Sequence, residues 1–266
     1  MIEWWQALCL ALIQGLTEFL PISSSAHLLL PSLLLGWADQ GLAFDVAVHV
    51  GTLLAVLAYY RGELRQLLRS LRLALEERRM NPGARELAQL ALASLPVMLV
   101  GLLLNARMEA LRSVPVLIAS TVGFALLLGY ADLRAARPGA AALSSLRAAL
   151  LVGLAQALAI VPGTSRSGIT ITAGLLLGLG REAAARFAFL LSIPVIAGAG
   201  LLKGLELAAA PAPARWGLLA AATLVAAASA YGCIALFLRL VARLGMQPFV
   251  VYRLLLGGAL FLLWWR

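Results

Sequence analysis

Six stretches of this chain, at roughly 42–60, 88–107, 113–132, 185–207, 214–240 and 248–265, are apolar for long enough to cross a bilayer. A spanning helix needs about 20 such residues, because each rises about 1.5 Å and the hydrocarbon core is about 30 Å thick. In lipid every backbone N–H and C=O must find a partner inside the protein, so an all-α polytopic membrane protein with six transmembrane helices is expected. Composition agrees: only 12% of residues are charged, against about 25% in soluble domains. The net charge of +9 could suit nucleic acid, but the basic residues sit in short links between apolar runs. No nucleic-acid partner is expected. Cys9 and Cys233 lie far apart in apolar stretches and read as small hydrophobic fillers, not as a disulfide. The start, MIEWWQALCLALIQG, lacks a basic region and a small-residue cleavage site, so no removable signal peptide is expected.

Two further apolar stretches are interrupted. Residues 4–35 are broken by Pro21 and Ser23-Ser24-Ser25, and residues 145–181 by Pro162-Gly163-Thr164-Ser165-Arg166-Ser167-Gly168. Non-helical backbone survives at membrane depth only where protein or a water-filled cavity satisfies it. Both stretches read as re-entrant helix-loop-helix hairpins; ordinary Pro-kinked spans are the alternative. The single membrane domain, 1–266, then divides into repeats of about 1–132 and 143–266, each with one hairpin and three spans. Phe44 to His49 to Gly51 has the spacing of Phe187 to Ser192 to Pro194. An odd number of spans per half inverts the second half, and in such inverted-topology repeats the site sits where broken helices meet.

The link 61–87 carries seven arginines. Alternation groups it with Arg134, Arg137, Arg147, Arg181, Arg186, Arg239 and Arg243, fourteen basic residues on one side. The other side has five: Arg107, Arg112, Lys203, Arg215 and Arg266. The richer side is cytoplasmic, which puts both termini outside. Tryptophans such as Trp4, Trp37, Trp216 and Trp265 sit near segment ends, as an interfacial belt requires. Leu64, Leu67, Leu68, Leu71 and Leu75 give the 61–87 link helical periodicity. It reads as an amphipathic helix on the leaflet or as a basic loop that only fixes topology.

Ionisable groups at membrane depth are costly and are functional candidates by default. Here they are Glu18, His27, Asp45, His49, Arg166 and Arg253. Gln14 and Glu18 are four apart, so they share a helix face leading into Ser23, Ser24, Ser25 and His27. A carboxylate in apolar surroundings needs a cation, a metal or a proton. The second loop supplies Arg166 among Gly163, Thr164, Ser165, Ser167 and Thr170. Glycine permits close approach, hydroxyls donate, arginine offers a fork, and the new helix presents free N–H groups. This is an oxyanion cradle suited to phosphate. Plainer readings exist: Glu18 and Arg166 as a structural ion pair, the serines as partners for broken helix backbone, His27 as a packing residue. His49 reads as structural or supporting, and Asp45 and Arg253 as anchors near segment ends.

Thr17-Glu18-Phe19-Leu20-Pro21-Ile22-Ser23-Ser24-Ser25-Ala26-His27, the stretch from Phe44 through His49, Gly51 and Thr52, Pro162 to Gly168, and Arg186 through Phe187 and Ser192 to Pro194 together resemble the BacA-type undecaprenyl-diphosphatases. The resemblance runs over nearly the whole chain in order. It does not extend to the type-2 phosphatidic acid phosphatases, whose motifs are missing. It implies hydrolysis of undecaprenyl pyrophosphate to undecaprenyl phosphate and inorganic phosphate, recycling the lipid carrier of envelope polymers and conferring bacitracin resistance. By resemblance, Glu18 belongs to a motif tied to metal and catalysis. Ser24 and His27 match residues proposed as nucleophile or acid/base, and Ser165, Arg166 and Thr170 match the pyrophosphate loop. Gln14 stands where the family often has Glu. That leaves Glu18, substrate oxygens and water to hold Mg²⁺ or Ca²⁺. The same plan suits a transporter of prenyl phosphate or a non-catalytic binder of the carrier. The small-residue surface from Ala220 to Gly232 allows a homodimer. The bacterial inner membrane is the expected location, with the site opening outward.

Overall fold

The computed structural model describes residues 2–104, 113–135, 139–208 and 215–265. Among them are eleven α-helices: α1 (Trp4–Thr17), α2 (Ser24–Leu35), α3 (Leu42–Tyr59), α4 (Arg61–Glu76), α5 (Pro82–Leu104), α6 (Val114–Arg134), α7 (Leu146–Ala157), α8 (Arg166–Leu176), α9 (Arg181–Ala208), α10 (Trp216–Leu244) and α11 (Gln247–Trp265). No strand forms among these residues, only one isolated bridge between Ala140 and Leu179. Six helices, α3, α5, α6, α9, α10 and α11, are long and apolar enough to span a membrane. The protein is an all-α polytopic membrane protein. Of the basic residues that set the expected orientation, Arg107, Arg112, Arg137 and Arg266 lie outside the described residues.

The interior is built from small side chains and the outside from large ones. Ala93, Ala125, Ala149, Ala188, Ala226 and Ala230 are fully buried, while Leu103 and Leu255 are 71% and 70% exposed. Lipid tails are as apolar as leucine, so helices in a bilayer gain from close backbone approach and not from hiding leucine. A Cβ at Gly153 of α7 would come 2.6 Å from the Ala93 carbonyl of α5. At Gly15 of α1, the corresponding obstacle is Ser229 of α10. Thus α7 lies on α5 and α1 on α10; α3 lies between α9 and α10, and α6 pairs with α11.

Both interrupted stretches are two short helices around a loop. The helices α1, α2, α7 and α8 have 14, 12, 12 and 11 residues. At about 1.5 Å per residue each falls short of the hydrocarbon core. One boundary differs from expectation. The second span begins at Pro82 and not near 88. The Asn81 Oδ1 accepts from Ala84 N at 2.9 Å, and proline follows at the first helical position. That is a helix start whose missing N–H costs nothing. The 61–87 link is therefore mostly the helix α4, which buries Leu67 and Ala74 and exposes Leu68, Leu75 and its arginines. Two expected topology markers also act as ties: Arg181 pairs with Asp132 at 2.6 Å, and Arg186 with Glu86 at 2.5 Å and with Glu63. Cys9 and Cys233 are free, and the Cys233 thiol donates to the Leu16 carbonyl at 3.1 Å.

Candidate active site

The two loops meet inside the helix assembly. Pro21 stops α1 from continuing, since it has no N–H to donate, and Gln14 and Glu18 end that helix buried. Each following helix begins on a serine forced into positive φ. Ser23 has φ 73°, ψ 92°, and Ser165 has φ 71°, ψ 114°. Only one other non-glycine residue among those described, Arg78, has positive φ. Such conformations cost on the order of 1–3 kcal/mol and concentrate at functional sites. In both loops the serine faces the hydroxyl two residues on: Ser23 to Ser25 at 3.2 Å, and Ser165 to Ser167 at 3.1 Å.

Glu18 is the hub. Its Oε1 accepts from Arg166 Nη2 at 3.1 Å. Its Oε2 accepts from Gln14 Nε2 at 2.9 Å and from the Ser24 hydroxyl at 2.7 Å. His49 Nε2 stands 4.0 Å from the same oxygen. The two loops also touch directly, the Ser167 hydroxyl donating to the Leu20 carbonyl at 2.8 Å. A cleft of about 230 Å³ opens onto this cluster, lined by Gln14, Ser24, Ser25, His49, Ile160 and Pro162. Through Asp39, Asp45 and His49 it adjoins a wider polar cleft of about 540 Å³ that reaches Lys203 and Glu206 on α9.

Gly163 lets the second loop sit close to α6. Its φ is +90°, and a Cβ there would fall 2.8 Å from the Leu117 carbonyl and from the Thr121 hydroxyl. Gly163→Ala is expected to destabilise the protein by about 1–3 kcal/mol, read as a lower melting temperature in detergent.

A family model described as bacitracin resistance protein BacA matches residues 7–259. The chain belongs to the BacA family. An undecaprenyl-diphosphatase of Alcanivorax borkumensis is 55% identical over 259 residues, covering 97% of this chain and 98% of that protein. One from Hahella chejuensis is 53% identical, with 98% of both chains covered, and one from Chromohalobacter salexigens is 52% identical, covering 98% of this chain and 99% of its own.

In this BacA-family chain the sequence-predicted residues divide into groups. Gln14, Glu18, Ser24 and Arg166 come together. Ser25 is exposed in the cleft. Thr164, Ser165, Ser167 and Thr170 are buried behind it. Thr170 donates to the Arg166 carbonyl at 2.8 Å and so braces the first turn of α8. His27 faces elsewhere: its Nδ1 donates to the Ser23 carbonyl at 2.7 Å, and its Nε2 lies 2.6 Å from the Tyr252 hydroxyl, ring stacked on ring. With the neutral ring protonated at Nδ1, Tyr252 donates to Nε2. His49 donates from Nδ1 to the Asp45 carbonyl at 2.7 Å, leaving Nε2 toward Glu18. Sequence reading put His49, five residues after Phe44, in a structural or supporting role.

Arg253 is not an anchor at a segment end. It is fully buried, and its guanidinium donates to five backbone carbonyls: Pro21 (3.2 Å), Thr164 (3.0 Å), Gly163 (2.8 Å), Thr121 (3.2 Å) and Ser120 (3.5 Å). One side chain therefore ties both loops to α6. Among the described residues no group of three or more His, Cys, Asp or Glu could hold a metal. The Gln14 Oε1 is buried without a partner beside Glu18, so an amide oxygen and a carboxylate sit together. One or two protein oxygens completed by phosphate oxygens and water is a donor set that Mg²⁺ accepts.

Proposed function

We propose that this chain hydrolyses undecaprenyl pyrophosphate to undecaprenyl phosphate and inorganic phosphate. The observation that carries the proposal is the Glu18 carboxylate, held between the Arg166 guanidinium and the Ser24 hydroxyl. The names of its relatives supply the substrate. A carboxylate at 2.7 Å from a hydroxyl is a base within reach of a nucleophile, and a guanidinium at the same carboxylate is a ready partner for phosphate.

In this proposal the terminal phosphate displaces Glu18 from Arg166, whose fork then neutralises the non-bridging oxygens. The Ser24 oxygen attacks the terminal phosphorus and its proton passes to Glu18. The bond from that phosphorus to the bridging oxygen breaks, and undecaprenyl phosphate leaves with the electron pair. Glu18 passes that proton to the departing bridging oxygen; water then attacks the phosphoserine, the freed Glu18 carboxylate takes a proton from it, and inorganic phosphate departs as Glu18 hands this proton to Ser24. Gln14 fixes the Glu18 carboxylate, and His49, whose Nδ1 donates to the Asp45 carbonyl, offers Nε2 as an acceptor to a phosphate hydroxyl or to water. A bound Mg²⁺ or Ca²⁺, held by Glu18 and the Gln14 amide oxygen, would supply further neutralisation of phosphate charge.

Phosphate release from undecaprenyl pyrophosphate in detergent, with no membrane gradient, tests the hydrolase reading directly. Glu18→Gln is expected to lower kcat by about 10²–10⁴-fold. Ser24→Ala should remove the acid-stable phosphoserine that mass spectrometry finds after a rapid quench. Hydrolysis at the normal rate by Ser24→Ala would transfer the attack to water.

Helices α1 and α2, like α7 and α8, form hairpins that enter and leave on one side; their shortness supports this. One domain contains two inverted repeats, supported by the matching pairs α1 with α10 and α7 with α5. Gln14 and Gln156, Ser23 and Ser165, and Ser25 and Ser167 recur at one constant spacing. Both termini lie outside the inner membrane, the cleft opens outward, and the chain forms a homodimer. Removal of the pyrophosphate carrier would raise bacitracin tolerance and feed envelope polymer synthesis. Broken helices meeting within the assembly also suit a flippase of the carrier, which a sealed-vesicle assay would detect.

A further inference from the structure

An apolar groove of about 290 Å³ runs between α5 and α9, with Val97, Gly101 and Leu102 on one wall and Val195, Ala199 and Leu202 on the other. Both helices carry a proline at the same end of it: Pro96 just before Val97, and Pro194 just before Val195. Proline inside a helix removes a hydrogen bond and bends the axis, so two helices bearing it at matched positions can splay there. The walls are thinned by glycine and alanine, whereas the neighbouring lipid-facing positions Leu95, Leu99, Leu103 and Leu201 keep large exposed side chains. At Gly101 an added Cβ meets nothing within 4 Å.

The groove is continuous with the polar site. Ile160, which immediately precedes Val161 and Pro162 of the second loop, lines both the groove and the cleft holding Ser24 and His49. Ala199 and Lys203 border both the groove and the wider polar cleft. An occupant with an anionic head in the cleft and an unbroken hydrocarbon chain matches this sequence of surfaces: polar, then Ile160, then apolar, then open lipid.

We infer that the groove between α5 and α9 seats the second and third isoprenoid units of the lipid pyrophosphate, with Gly101 keeping the path clear. This rests on the hydrolase reading. The groove selects prenyl substrates by length of contact, since apolar surface removed from lipid-like solvent gains mainly by shape fit at a preformed wall. Chains too short to pass Ile160 gain nothing from it.

Gly101→Leu tests this in the full-length protein. Leucine is a better helix former than glycine and meets open space at that position, so the variant should fold. Its kcat/KM is expected to fall about tenfold or more for farnesyl pyrophosphate and to stay near wild type for dimethylallyl pyrophosphate, whose tail ends before the groove. Ala199→Leu, on the facing wall, should act in the same way. Equal losses on both substrates, or none on either, would overturn the inference. A farnesyl pyrophosphate analogue with a terminal benzophenone gives a second measurement that needs no turnover. Labelling of residues 97–102 or 195–202, displaced by unlabelled farnesyl pyrophosphate, is the expected result. Labelling scattered over the lipid face without displacement would mean that bilayer acyl chains fill the groove. A wild-type protein that labels in the groove yet releases no phosphate would refute hydrolysis and leave the groove assignment standing.

Discussion

Arg166→Ala is expected to abolish phosphate release, with a loss of at least about 10³-fold in kcat. Two effects act in the same direction. The first is catalytic: the variant lacks the cation that the proposed mechanism sets on the reacting phosphate, and phosphoryl transfer depends chiefly on positioning and charge neutralisation. The second is structural. The Arg166 and Glu18 side chains are only 12% and 8% exposed, so removing the guanidinium leaves a buried carboxylate with Gln14, Ser24 and His49 alone. Breaking a buried pair from one side typically costs about 3–5 kcal/mol. The double variant Glu18→Gln with Arg166→Ala separates the two. It removes the uncompensated charge, so the melting temperature in detergent should recover, while activity should not. Arg166→Lys keeps the charge but not the fork that reaches both Glu18 and the Ala188 carbonyl, and about 10²-fold loss is expected. Retention of more than about a tenth of the wild-type rate by Arg166→Ala, far above what loss of such a cation allows, would remove Arg166 from the mechanism.

Arg253→Met should have the largest effect on stability. Methionine fills much of the volume and donates nothing. Five carbonyls, from residues 21, 120, 121, 163 and 164, would lose their donor in the interior. Hydrogen bonds to charged groups are worth about 1.5–3 kcal/mol each, and orphaned buried acceptors cost more than neutral replacement of both partners. A net loss of at least about 3 kcal/mol is expected, a large share of a marginal total. The measurement is a thermal melt in detergent together with phosphate release. The two should fall in parallel on every substrate, because the loops that carry Glu18 and Arg166 lose their common tie. Arg253→Lys, a point donor that cannot span both loops, should be intermediate. A melt unchanged by Arg253→Met would show that α6 and the loops hold together without it.

Much of this was legible in the chain. Spans α3, α5, α6, α9, α10 and α11 were visible because an apolar run of membrane length is a local property, readable without knowing what it touches. The breaks at Pro21 and Pro162 were visible because proline acts on its own backbone. Gln14, Glu18, Ser24 and Arg166 were found because a carboxylate, a guanidinium and hydroxyls in apolar runs must answer one another. The start of α5 was missed by several residues, since Arg85 and Glu86 disguise helix as link. There the local signal was Asn81-Pro82, a cap followed by a first-turn proline.

The sequence by itself determined that the chain is helical, that it belongs in a bilayer, and that two apolar stretches are broken by polar residues. Only the tertiary structure decided which groups meet. His27 and His49 each lie on a helix beside the first loop, and nothing local says which ring turns toward Glu18. Helix rotation against α11 pairs His27 with Tyr252, and the set of α3 brings His49 within 4.0 Å of the carboxylate. Arg253 looked like a charge near a segment end. Its five acceptors lie on three segments distant in the chain, and no periodicity encodes them. The physical reason is the same in both cases. Helix formation and membrane insertion follow from short-range hydrogen bonding and hydrophobicity, whereas the site follows from how rigid helices are rotated when their small-residue faces come together.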